Sequence, residues 1–219
     1  MESHKGCIPP YNKGEDKRKP HMTFITETLT PILESIETKM TESYSLQALG
    51  MEDMVSSQSI LIQFGNRMEV FWNKVMETNG VSLIASTPKT YYKVGAKKGQ
   101  VRLWQKNDKV GSRQVDLFFT DKNGNKVYCE MKCCLNFDTE KVKASDEKVT
   151  KVGEALGADK SYYFCPVLDV ISDETQAMVS HTIIGVSDIL EMVDAPFTSE
   201  ELFSYLATTA SDIMKSKGL

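Results

Sequence analysis

The chain has 219 residues, 41% of them hydrophobic and 26% charged, with a net charge of −4. That composition supports an ordinary packed core, and the absence of any run of about 18 apolar residues argues against a membrane-spanning helix. The start MESHKGCIPP lacks the apolar centre of a secretory signal, and an odd number of cysteines, Cys133 and Cys134 adjacent, fits a reducing cytoplasm better than a disulfide framework.

Residues 1–22 combine Pro9, Pro10, Gly6 and Gly14 with mixed charge and read as an irregular arm, leaving 23–219 as a single domain. Thr30-Pro31 suits a helix start, with Ile32, Leu33 and Ile36 as its apolar stripe. A longer helix is expected from Ser57 to Asn79. Ile60, Leu61, Phe64, Met68, Phe71, Trp72, Val75 and Met76 recur there at helical spacing, and Gly80 supplies the stop. Glu69 falls at the edge of this stripe, facing the seam between the helix and its packing partner. Gly65, one turn away, would allow a close approach.

Val81–Ala85 reads as a short strand. The stretch from Lys89 to Arg113 then carries eight basic residues against a single acid, Asp108, with Tyr91, Tyr92 and Trp104 interleaved. The region from Asp169 onward is mostly acidic. A basic middle of this kind suits phosphates better than the total charge suggests.

The most informative segment follows, RQVDLFFTDKNGNKVYCEMK from Arg113 to Lys132. Both arms alternate with period two, so Glu130 and Lys132 share a face. A two-residue Asn123-Gly124 loop would turn Asp116 to the opposite face. In Asp121-Lys122-Asn123-Gly124, however, the aspartate suits the first turn position and the glycine a left-handed one, which gives a three-residue loop with a bulge. That loop pairs Asp121 with Asn125 and hence Asp116 with Glu130, about 5 Å apart at Cβ and able to share a cation.

Beyond the hairpin, Asp138 or Ser145 can cap a helix that buries Val142, Val149, Val152 and Leu156 and stops at Gly157. Lys141, Lys148 and Lys151 lie on its other side. Strands are expected over 161–167 and 182–186, and Ser187 is a candidate cap for a short helix. Thr198-Ser199-Glu200-Glu201 is a capping box that opens a last helix reaching Lys215. The order is that of an α/β single domain.

IQFGNRMEVFW with Glu69, VDLFF with Asp116, YCEMK with Glu130 and Lys132, and the polar CCLNFDTEK after them resemble the PD-(D/E)xK nuclease superfamily, and within it the type II restriction endonucleases. The match covers residues 57–167, with Val115 in place of the namesake proline. The resemblance implies an αβββαβ core with a mixed central sheet flanked by helices, extended by helices at both ends. It also implies sequence-specific hydrolysis of double-stranded DNA with Mg²⁺, for which Mn²⁺ would substitute.

In that scheme Asp116, Glu130 and the Met131 carbonyl hold the metal, Glu69 supports it from outside, and Lys132 orients the attacking water. Cys133 and Cys134 are packing residues. DNA contacts would come from Lys97, Lys98, Arg102, Lys106, Arg113, Asn136, Lys141 and Lys148, mostly to phosphates. A homodimer is implied, and the terminal helices, Thr30–Glu42 and Thr198–Lys215, are candidates for its interface. The alternatives are a structure-specific repair or recombination nuclease of the same fold, and a DNA-binding module without chemistry.

Overall fold

The computed structural model describes residues 20–35, 57–84, 90–92, 95–97, 100–104, 110–135 and 139–216. Its first helix, α1, spans Pro20–Glu34. Ile25, Leu29 and Leu33, four residues apart, are all buried and form the stripe that holds it. The helix therefore starts well before Thr30-Pro31, taking in Pro20 to Met22 from the expected arm. Proline is at home in the first turn, which Pro20 occupies. Pro31 lies inside the last turns, exposed, where its missing N–H removes only one hydrogen bond. Ile36, and the rest of the helix expected to reach Glu42, lie outside the described residues.

Helix α2 spans Ser57–Thr78, as its periodicity indicates. Met68, Phe71, Trp72, Val75 and Met76 are buried. Gly80 ends it at φ 70°, donating its N–H to the Glu77 carbonyl at 3.0 Å. The segment after it makes less of a strand than expected. Ser82 forms an isolated antiparallel bridge to Phe119, and Leu83 N–H donates to the Phe118 carbonyl at 2.7 Å.

The basic region contributes two small antiparallel hairpins, β1 (Thr90–Tyr92) with β2 (Gly95–Lys97) and β3 (Gln100–Trp104) with β4 (Val110–Gln114). The main sheet has four strands in the order β5 (Leu117–Thr120), β6 (Lys126–Met131), β7 (Lys160–Phe164) and β8 (Ile183–Ile184). The first pair is antiparallel and the other two are parallel, so the chain is a mixed α/β protein.

The β5–β6 register has Leu117 opposite Cys129 and Thr120 opposite Lys126, which is the register that the turn residues imply. Asp121 N–H donates to the Asn125 carbonyl at 2.9 Å, and Gly124 stands at φ 84°. The buried Asp121 carboxylate locks the turn, accepting from the Asn123 and Asn125 amides at 2.9 and 2.8 Å and from Asn125 Nδ2 at 2.9 Å. At the tip, Lys122 N–H reaches the Met192 carbonyl at 2.7 Å.

Alternation sorts the sheet into two cores. Leu117, Phe119, Val127, Cys129, Phe164 and Ile184 pack with α1, α2 and two later helices, α5 (Val186–Val193) and α6 (Ser199–Tyr205). Phe118, Tyr128, Tyr163 and Ile183 face Val149 and Val152 of α3 (Thr139–Leu156). Helix α3 begins right after Asp138, so Ser145 is interior to it. Gly157 at φ 64° ends it.

Both later strands are shorter than expected: β7 stops before Cys165-Pro166, and β8 keeps only Ile183 and Ile184. A single helical turn, α4 (Asp173–Gln176), lies between them. Gly185, not Ser187, caps α5. Its N–H is taken by the Asp188 carboxylate at 2.8 Å, and any β-carbon there would lie 2.6 Å from the Asp169 carbonyl. Thr198 caps α6 with its capping box, as expected, but the final helix is not regular. A π-helical stretch, Leu206–Ala210, separates α6 from α7 (Ser211–Ser216).

Replacing Asp121 with alanine strands two turn amides at the point that sets the sheet register. Urea unfolding of that variant is expected to show a loss of about 2–3 kcal/mol, and an unchanged midpoint would contradict this role.

Candidate functional site

The alternation that points Phe118 and Tyr128 toward α3 also sends Asp116, Glu130 and Lys132 there. Asp116 sits in a bend just before β5, Glu130 inside β6, and Lys132 one residue past its end. Continuing the register places Asp116 opposite Glu130, and Asp116 Oδ2 accepts the Met131 N–H at 2.9 Å. The bend is fastened to α2 by Asn73, whose Nδ2 donates to the Asp116 carbonyl at 2.8 Å and to the Glu69 carbonyl at 2.9 Å. Glu69 in turn accepts from Gln114 Nε2, the last residue of β4, at 2.6 Å.

Glu130 is only 2% exposed. A buried carboxylate needs its charge and lone pairs matched, and here three donors converge. Tyr128 O–H donates to Oε2 at 2.9 Å and Lys132 Nζ to Oε1 at 2.9 Å. Lys148 Nζ, reaching down from α3, lies 2.6 Å from Oε1 and 2.5 Å from Oε2. A cavity of about 310 Å³ opens onto Glu69, Asp116, Glu130, Lys132 and Lys148 together, with Met131 and Cys133 in its wall. The residues expected to carry chemistry are thus gathered at one place, although they come from α2, the bend before β5, and the end of β6.

Electrostatically the two carboxylates are opposites. Burial pushes Glu130 up, but the ammonium groups of Lys148 and Lys132 and their hydrogen bonds more than offset this and hold it below the usual range. Asp116 has a single hydrogen bond, from a backbone amide, and only the charge of the more distant Lys148 to offset its burial. Burial, and then the nearby Glu130 charge, push it up to about 7. Burial also raises Glu69, against the Gln114 hydrogen bond. Tyr128 is driven up by burial and the two carboxylates and remains a neutral donor.

Among the described residues, no group of three or more His, Cys, Asp or Glu side chains is placed to hold a metal ion. Asp116 and Glu130 present two carboxylates at one cavity. That number suits Mg²⁺, which commonly binds through one or two carboxylates and keeps several waters. The Lys148 ammonium and the Met131 amide offset only part of what burial and Glu130 impose on Asp116.

The expected DNA contacts are less concentrated. Lys97, Arg102 and Arg113 lie on β2, β3 and β4, and Lys141 lies on α3. Lys98, Lys106 and Asn136 are outside the described residues. Lys148 is not on an outer face but in the site, bonded to Glu130. Of the two adjacent cysteines, Cys133 is half-buried, its thiol pushed up to about 12 by burial, whereas Cys134 is exposed and does little packing. Gly65 leaves room only for ordinary contact with Cys133 Sγ, 3.8 Å from a β-carbon built on it.

Sequence reasoning missed the roles of Tyr128, Asn73 and Gln114. Tyr128 had a signal: it lies two residues before Glu130, hence on the same sheet face. Asn73 and Gln114 join different elements and left none. No protein-family model and no curated protein matches this chain.

The Asp116 proton has a measurable consequence. Its carboxyl keeps a proton in the folded state that the unfolded chain gives up near pH 4, so stability falls as pH rises from about 4 to 7. In chelator, Asp116→Asn is expected to flatten that decline in urea unfolding free energy. Equal pH slopes for the two proteins would show that Asp116 is an ordinary carboxylate.

Proposed function

We propose that the chain is a Mg²⁺-dependent endonuclease acting on double-stranded DNA, of the PD-(D/E)xK type that its sequence resembles. The observation that carries this reading is the convergence of Asp116, Glu130 and Lys132 on one cavity. The order α2, the Ser82 bridge, β5, β6, α3, β7 supports an αβββαβ core, the two basic hairpins being an insertion within it.

Bound Mg²⁺ would supply neutralising charge at the scissile phosphate and acidify an attacking water. Asp116 and Glu130 would be its carboxylate ligands, with the Met131 carbonyl beside them. Tyr128 keeps Glu130 oriented from behind. Lys132 is well placed to leave one Glu130 oxygen for a phosphate oxygen and the water, orienting the nucleophile and offsetting negative charge as it develops. Glu69, fixed by Gln114, borders the same cavity and would hold a water of the outer shell. The basic hairpins β1–β2 and β3–β4 are the natural place for phosphate contacts. A homodimer would set two such sites against the two strands. Among the described residues, no helix is long and apolar enough to cross a membrane.

Incubation with long duplex DNA is expected to give discrete fragments with Mg²⁺ and none in chelator. A smear would favour a structure-directed or non-specific nuclease, and no cutting in Mg²⁺ or Mn²⁺ would favour a binding module. Lys132→Ala is expected to cut at least about a hundredfold more slowly while binding DNA with unchanged salt dependence; equal cutting by that variant rules out the role given to Lys132.

A further inference from the structure

A carboxylate has about four lone-pair positions. In Glu130 they are all engaged: one by Tyr128, one by Lys132, and one on each oxygen by Lys148, whose Nζ sits astride both at 2.6 and 2.5 Å. A divalent cation cannot ligate this carboxylate until one donor withdraws. Tyr128 cannot, because it is fully buried on the same strand. Lys132 touches only Oε1, so even when it leaves, Lys148 still bridges both oxygens.

Lys148 comes from another element, and its flexible stem is 25% exposed beside the cavity. Its helix, by contrast, is held fast. Asp146 accepts from Tyr163 O–H at 3.0 Å and from Ser180 N–H at 2.9 Å, and Thr150 bonds the His181 ring at 2.8 Å. Only the side chain is free to move.

We propose that Lys148 is a built-in stand-in for the metal. It neutralises Glu130 in the metal-free protein, competes with the divalent cation for that carboxylate, and swings into the cavity when the cation binds. Released there, its ammonium group meets a phosphate oxygen, so cation and DNA backbone bind cooperatively. This rests on the reading of Asp116 and Glu130 as the cation site.

The test is Mn²⁺ titration by calorimetry of chelator-stripped full-length protein without DNA, for the wild type, Lys148→Met, Lys148→Gln and Asp116→Asn. Both Lys148 variants are expected to bind Mn²⁺ about tenfold or more tightly than the wild type, because a competing charge-assisted contact is gone. Their metal-free melting temperatures should fall, and Mn²⁺ should raise them by more than it raises that of the wild type. If the wild type binds Mn²⁺ and Asp116→Asn does not, but neither Lys148 variant binds more tightly, the competition is overturned and the cation site stands. If Asp116→Asn binds as the wild type does, or no protein binds, the cation site itself is overturned and the competition with it.

Discussion

Everything in the site depends on the register of one hairpin. Asp116 and Glu130 face one another only because β5 and β6 pair in the register that sets them opposite. A slip of one residue would turn one carboxylate into the other core. The constraint is carried by the turn, where the Asp121 carboxylate gathers two backbone amides and an Asn125 side-chain donor while Gly124 takes the left-handed conformation. The residues that form this turn touch no part of the cavity, yet they decide what faces it.

Given that register, the sheet face toward α3 becomes a place where charge is buried by design of the neighbours. Two carboxylates lie near each other under a helix, and the protein treats them unequally. Glu130 receives a tyrosine and two lysines; Asp116 receives a peptide amide. Like charges in a poorly solvated site push one member toward the protonated form. The less supported partner, Asp116, carries that burden. The inequality follows from which side chains each carboxylate meets, not from the sheet that carries both.

Much of this was legible in the sequence because short-range rules governed it. Period-two alternation fixed the faces, Asp-x-x-Gly chose the turn, and the apolar stripe of α2 and the stops at Gly80 and Gly157 followed from helix geometry. Contacts set by packing between distant segments were not legible. Lys148 looked like one of several surface lysines on α3, since helix periodicity cannot say that the buried face of a sheet holds a carboxylate beneath it. The start of α1 was misplaced because Pro31 is a conspicuous signal, whereas burial of Ile25 and Leu29 against other elements extends the helix upstream. The brevity of β8 likewise reflects a tertiary demand: Gly185 must leave the strand to pass the backbone of Leu168 and Asp169.

The tip of the hairpin has one further bond. Lys122 N–H donates to the Met192 carbonyl, in the last turn of α5, and Lys122 Nζ pairs with Glu191 at 2.9 Å. Carbonyls at a helix end lack partners within the helix, so the turn serves as an external cap for α5. Loop tips are ordinarily where a chain accepts inserted residues, epitope tags or permuted ends. This one cannot lengthen without uncapping a helix on the far layer. The hairpin tip and the end of α5 are thus tied together by a backbone hydrogen bond and an exposed ion pair.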